Sequence, residues 1–247
     1  MDWGEIDTSK PAFELIEKLI LDDYAYIRND INELTDGQPL YHSLLSAIAT
    51  SNGRAHPVYK RAKVDALTGE KAIETLRERG IIRVKSMKNA DDKFYFTMPF
   101  LRFWFAFVSP LFKGIRDGEY KEVKERWEAK ANEFSDLTFR ELSHELLREM
   151  LDEGIMEISE YWQNDGLELD IYAKTKTKKR VVGSCKYTNN KIKKSELSRL
   201  HELSQKASIQ ADIFVIVSKR GFSSELKALK GENLKLYTIK NFKALVE

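Results

Sequence analysis

Helical periodicity gives way to strand alternation twice along this chain, and the two switches divide it. Leu15, Ile16, Leu19, Ile20, Tyr24 and Ile27 fall near a 3.6-residue period and predict a helix over 11–34. Pro11 suits its first turn, and Asp36-Gly37 breaks it. Leu44, Leu45 and Ile48 predict a second helix over 41–49, closed by Asn52-Gly53. A short third helix is expected over 57–64 and a fourth over 68–79, with Gly80 at the usual terminating position. The period then drops to two: residues 81–85 and 94–97 flank the polar turn 88–92, a hairpin signature. An acidic helical arm (1–36) followed by a winged helix-turn-helix (37–98) is the reading of this half.

Residues 99–136 form an aromatic and helical connector, with Phe100, Phe103, Trp104, Phe105 and Phe107 in one run and a charged helix over 119–134. Aromatics this dense point to a packing joint between domains rather than a base-stacking platform. From residue 137 the pattern starts again. An amphipathic helix (Phe139, Leu142, Leu146, Leu147, Met150) precedes extended stretches at 155–162, 167–173 and 180–187. A helix at 196–207, an apolar strand at 213–217, a short helix at 223–230, a strand at 234–239 and a terminal helix at 241–246 complete the chain. That order, αβββαβαβ over 137–247, predicts an α/β (α+β) domain with a mixed sheet covered by helices on both faces.

Composition narrows the class. One cysteine in 247 residues excludes a disulfide framework and a cysteine-rich zinc module. No apolar segment follows the acidic N-terminus (Asp2, Glu5, Asp7), and the most apolar stretch, 94–112, carries Pro99, Arg102 and Pro110. Neither a signal peptide nor a membrane span is read, and a cytoplasmic location is expected. The net charge of +2 conceals blocks: −7 over 1–36, +6 over 37–112, −8 over 113–169 and +11 over 170–247. Two basic surfaces on a near-neutral chain suggest nucleic acid, DNA above all.

Within the winged helix, the groove-entering helix would offer Lys71, Arg77 and Arg79, and the wing Arg83, Lys85, Lys88 and Lys93. Glu70, Glu74 and Glu78 on the same helix would repel phosphate, so docking of a separate protein is the alternative role. A transcriptional regulator reading an operator as a symmetric homodimer is a further one. In the second half, Lys174, Lys176, Lys178, Lys179, Arg180, Lys191, Lys193 and Lys194 lie in a strip without an acidic residue. Such a strip supplies phosphate contacts that depend on salt and carry little sequence information.

The strip adjoins a constellation with chemical meaning. If the turn between the second and third strands centres near Thr177, residue 170 lies opposite residue 184. Alternation then places Ser184 and Lys186 on one face beside Asp170, and the preceding helix could add Glu141 or Glu145. Carboxylates beside a lysine suit metal-assisted phosphodiester hydrolysis: they hold Mg²⁺ or Mn²⁺, the metal activates water, and the lysine stabilises developing charge. His144-Glu145 begins like a zinc-protease helix, but Arg148 stands where the second histidine belongs, so no zinc is implied.

The run from Tyr95-Phe96-Thr97-Met98-Pro99 to Phe103-Trp104-Phe105-Ala106-Phe107, preceded by the winged helix, resembles the C-terminal half of the archaeal-type ATPase family. Members of that family carry an AAA-type ATPase, a winged helix and a nuclease-like domain of the PD-(D/E)xK, or restriction endonuclease-like, superfamily. The resemblance covers about residues 14–247 and implies a Mg²⁺-dependent nuclease site with Glu141 and Asp170 as metal ligands and Lys186 as the motif lysine. Where the family has Glu-x-Lys, this chain has Ser184-Cys185-Lys186, which leaves an atypical or degenerate endonuclease as the expectation. No Gly-x-x-x-x-Gly-Lys-Ser/Thr occurs, so no ATP binding of the P-loop kind is expected, and an ATPase would be a separate partner.

Overall fold

The computed structural model describes residues 10–88, 90–111, 115 and 119–245. Asp2, Glu5 and Asp7 of the acidic arm, Asn89 of the hairpin turn, Phe112, and the last residue of the terminal helix lie outside the described residues. The chain divides into two compact units, residues 1–86 with 91–131, and residues 87–90 with 132–247. It is a mixed α/β protein, with one two-stranded and one five-stranded sheet.

The first unit opens with α1 (Ala12–Ile16), a π-helical turn (Glu17–Leu21) and α2 (Tyr24–Thr35), so the expected single helix is interrupted at Asp22-Asp23. The arm is not a detached element: Leu21, Tyr24, Ile27 and Ile31 are buried. Next come α3 (Pro39–Ala49), α4 (Ala55–Ala62) and α5 (Ala66–Glu78), whose start is fixed by Asp65 accepting from the Thr68 N–H at 3.0 Å. Strands β1 (Ile82–Met87) and β2 (Ala90–Phe96) form the wing. Gly53 can only be glycine, because a Cβ there would sit 2.3 Å from the Phe94 carbonyl oxygen and φ is +77°.

After β2, α6 (Pro99–Phe103) runs into a second π-helical turn, Trp104–Val108, all of it buried. The aromatic run is core of the first unit. Trp104 stacks on Tyr24 (5.6 Å between centroids), Phe105 on Phe96 (6.0 Å), and Phe103 and Phe107 meet Trp127 at 6.0 and 5.1 Å.

Two helices expected over 119–134 and 137–150 are one, α7 (Lys121–Met150), and the boundary between the units falls inside it, between Ala131 and Asn132. Neither glycine nor proline occurs between residues 121 and 150, so nothing local stops propagation where the apolar period lapses.

The second unit follows the expected order. Strands β3 (Ile155–Trp162), β4 (Glu168–Thr175) and β5 (Arg180–Lys186) are antiparallel neighbours. Then α8 (Lys194–Lys206), β6 (Ile213–Ser218), α9 (Ser224–Ala228) and β7 (Leu234–Thr238) add the parallel part, giving the order β3-β4-β5-β6-β7. Residues 239–245 form a 3₁₀ segment instead of an α-helix. One sheet face packs Ile171, Val181, Cys185 and Val215 against Phe139, Leu146, Leu147 and Leu151 of the α7 end. The other packs Val182, Phe214 and Ile216 against Leu200 of α8. Burial on both faces is what the continuous apolar strand predicted.

Candidate nucleic-acid interface and nuclease-like centre

The β4–β5 register is the one anticipated, with Ile171 opposite Gly183 and Lys174 opposite Arg180. One feature of β4 nevertheless rearranges the site. Across the β3–β4 pair, Ser159 faces Tyr172 and Tyr161 faces Leu169, so Asp170 and Ile171 together oppose Glu160. That is a β-bulge, and it turns a side chain to the other face. Leu169 consequently belongs to the α8-side core and Ile171 to the α7-side core, against ordinary alternation.

Asp170 therefore meets α7. Its Oδ1 lies 3.3 Å from Arg140 Nε and its Oδ2 accepts from the Cys185 N–H at 2.9 Å. His144 Nε2 hydrogen-bonds the Asp170 carbonyl at 2.7 Å. The Arg140 guanidinium also lies 3.2 Å from Glu168, 3.8 Å from Glu160 and 3.6 Å from Asp136, with only 15% of its side chain exposed. Burial works against charge on Arg140, but Asp170, Glu160 and Glu168 outweigh it and hold the guanidinium protonated more firmly than usual. Burial raises the Asp170 carboxyl, opposed by Arg140, the Cys185 N–H and the charge of Lys186.

The sequence-based site is only partly brought together. Ser184 and Lys186 alternate to the α8 side of β5, where Lys186 Nζ pairs with Glu196 Oε1 at 3.2 Å. Ser184 is 1% exposed, and its Oγ has no hydrogen-bond partner among the described residues. Glu141 lies about 100° further round the helix than Arg140, and Arg140, which the sequence reading did not single out, is the α7 residue seen against the Asp170 carboxylate. Arg140, Ser143, His144 and Leu147 recur at helical spacing in the sequence, and the last three of them are buried. Burial pushes the Cys185 thiol well above its ordinary value, in keeping with a core residue.

These residues do not fit the metal that the family resemblance implies. The cation beside Asp170 is Arg140, serine stands where the second motif carboxylate belongs, and among the described residues no group of three or more His, Cys, Asp or Glu is placed to hold a metal ion.

The basic strip falls into two parts. Lys174, Lys176, Lys178, Lys179 and Arg180 surround the hairpin tip, where Lys174 pairs with Glu157 (3.6 Å) and Lys179 with Glu153 (3.4 Å). Lys191, Lys193 and Lys194 are exposed at the opposite end of β5, about 20 Å away at the rise of a strand. There Ile192 bridges to Phe222, drawing the 188–194 loop alongside the 219–223 loop. That second loop brings Lys219, whose Nζ sits 3.9 Å from the Tyr187 ring centre, and Arg220, which donates to the Asn189 carbonyl. Strand pairing, invisible in spacing alone, added these two cations.

In the first unit, Lys71 is exposed, but Arg77 pairs with Glu74, and Arg79 with Asp36 and the Leu34 carbonyl. Lys93, expected on the wing surface, is fully buried, while Arg83 and Lys85 lie over the Tyr95 ring.

Residues 104–199 match the DUF234 family. Its description is of archaeal and bacterial proteins of unknown function. The DUF234 match contains Arg140, Asp170 and Lys186 together with strands β3 to β5, and leaves the winged helix outside. No curated protein and no solved structure matches the chain. Among the described residues, no helix is long and apolar enough to cross a membrane.

Proposed function

We propose that this chain binds DNA through the second unit and that its PD-(D/E)xK-like centre is a degenerate one, in which an arginine stands in for the metal. The observation that supports this most is the Arg140 guanidinium within 4 Å of four carboxylates, Asp170 among them. A guanidinium neutralises and orients carboxylates but activates no water, so the arrangement keeps the fold while giving up phosphodiester hydrolysis. Binding then rests on the exposed Lys191, Lys193 and Lys194, joined by Lys219 and Arg220, at the same end of β5 as Lys186. Contacts of this kind go to phosphates and are largely indifferent to sequence.

In this reading the chain corresponds to the C-terminal half of an archaeal-type ATPase, acts in the cytoplasm, and works beside a separate ATPase. The winged helix serves that partner rather than an operator, because Arg77 and Arg79 are already engaged by Glu74 and Asp36. The test combines gel retardation with cleavage of single- and double-stranded DNA in Mg²⁺ or Mn²⁺. Retardation without cleavage is expected. Metal-dependent cleavage abolished by Asp170→Ala and by Lys186→Ala would overturn it.

A further inference from the structure

The first unit contains a cavity of about 760 Å³ that neither the nuclease-like centre nor the basic strip explains. Four cationic side chains line it, Arg28, Arg61, Lys63 and Arg126, and none of the lining residues among the described ones is acidic. One polar face of α3 contributes His42, Ser43, Ser46 and Thr50, and the stacked pair Tyr24 and Trp104 closes an apolar side.

Two of the cations, Arg61 and Arg126, are positioned by hydrogen bonds. Arg61 donates to the Thr50 carbonyl and, at 2.9 Å, to Thr50 Oγ1, which fixes it at the C-terminus of α3. Among the described residues Arg126 donates from Nε to the Ala106 carbonyl at 2.6 Å; a guanidinium has five N–H donors in all. Lys63 caps α4 in the left-handed conformation with φ 56° and is exposed. His42 is tied to Thr35 (3.0 Å) and Ser109 (3.1 Å).

We infer that this cavity binds a phosphorylated small molecule of nucleotide size, its phosphates met by the Arg and Lys side chains and the serine hydroxyls. Arginine forks match phosphate oxygens in geometry as well as charge. The volume lies within the range of small-molecule sites, and the mixed lining of cations, hydroxyls and aromatic rings suits a ligand that is anionic at one end and planar at the other. A concave site with no carboxylate among its described lining residues favours a discrete anion over a duplex, whose phosphates lie along an extended surface.

Calorimetric titration of the full chain with ATP, AMP and pyrophosphate, at matched ionic strength, tests this inference independently of DNA binding. Saturable one-to-one binding is expected for at least the nucleotides. Lys63→Asn, which tolerates positive φ, should weaken it about tenfold, the scale of one charge-assisted hydrogen bond. Ser43→Asp, at an exposed position, should abolish it by placing a carboxylate in the cavity, with circular dichroism confirming the fold. Replacing Lys191, Lys193 and Lys194 by Gln should leave it unchanged. Absence of saturable binding, or binding that follows the Lys191 group and ignores Lys63 and Ser43, overturns the proposal. So does a short duplex that displaces pyrophosphate and whose own affinity falls with Lys63→Asn.

Discussion

Removing a buried guanidinium is far more damaging than removing a surface cation, because the carboxylates it neutralised stay behind. Arg140→Leu should cost about 3–5 kcal/mol at neutral pH, the usual penalty for orphaning buried charge. The pH dependence has a definite sign. Without Arg140, the Asp170 carboxyl, which burial already raises, loses its main opposing charge and titrates further above its unfolded value, so the folded state binds more protons than the unfolded one. Stability of the variant should therefore recover as pH falls from 7 toward about 4, read as the denaturation midpoint at each pH. Ser184 offers the contrasting case. Its buried Oγ lacks a partner among the described residues, so Ser184→Ala should be neutral or stabilising by up to about 1 kcal/mol. Ser184→Glu, which restores the family carboxylate in sequence, should destabilise by at least about 3 kcal/mol, because it buries a charge on the face away from Arg140. Thermal denaturation of the pair distinguishes the two outcomes.

At the scale of elements, β5 is the piece on which the second unit depends, and Gly183 is its tightest point. A Cβ at Gly183 would stand 2.5 Å from the Val215 carbonyl oxygen on β6. Gly183→Ala should push β5 and β6 apart and cost about 1–3 kcal/mol, measured by urea unfolding beside Ser184→Ala as the neighbouring control. The register of β5 on β4 was legible from sequence, because alternation and a central turn leave few ways to pair two short strands. The bulge at Asp170-Ile171 was not legible. It carries no glycine or proline, and the Asp170 carboxylate there is met by Arg140 of α7 and by the Cys185 N–H of β5, tertiary contacts that spacing along one strand does not show. With that single extra residue Asp170 turns toward α7, where Arg140 meets it. The continuity of α7 was hidden for another reason: residues 128–136 are mostly polar, with Phe134 the one large apolar side chain, while helix propensity is unbroken.

At the scale of the molecule, charge is segregated by unit and by end. The +11 balance of residues 170–247 gathers partly at the β4–β5 tip, where glutamates answer two lysines, and partly where β5 and β6 end, where two loops present Lys191, Lys193, Lys194 and Arg220. Composition could locate this charge in the chain but not divide it between two ends of a sheet, which is a property of topology. The second end is the one expected to meet DNA. The most direct measurement is the affinity of the intact chain for a DNA duplex as a function of salt, beside the variant with Lys191, Lys193 and Lys194 replaced by Gln. Log affinity should fall steeply with log salt, and the variant should bind more weakly with a slope shallower by about 2–3, near one unit for each phosphate no longer neutralised. No binding at about 50 mM salt, or binding whose slope ignores these three lysines, would contradict DNA recognition at this end of the sheet.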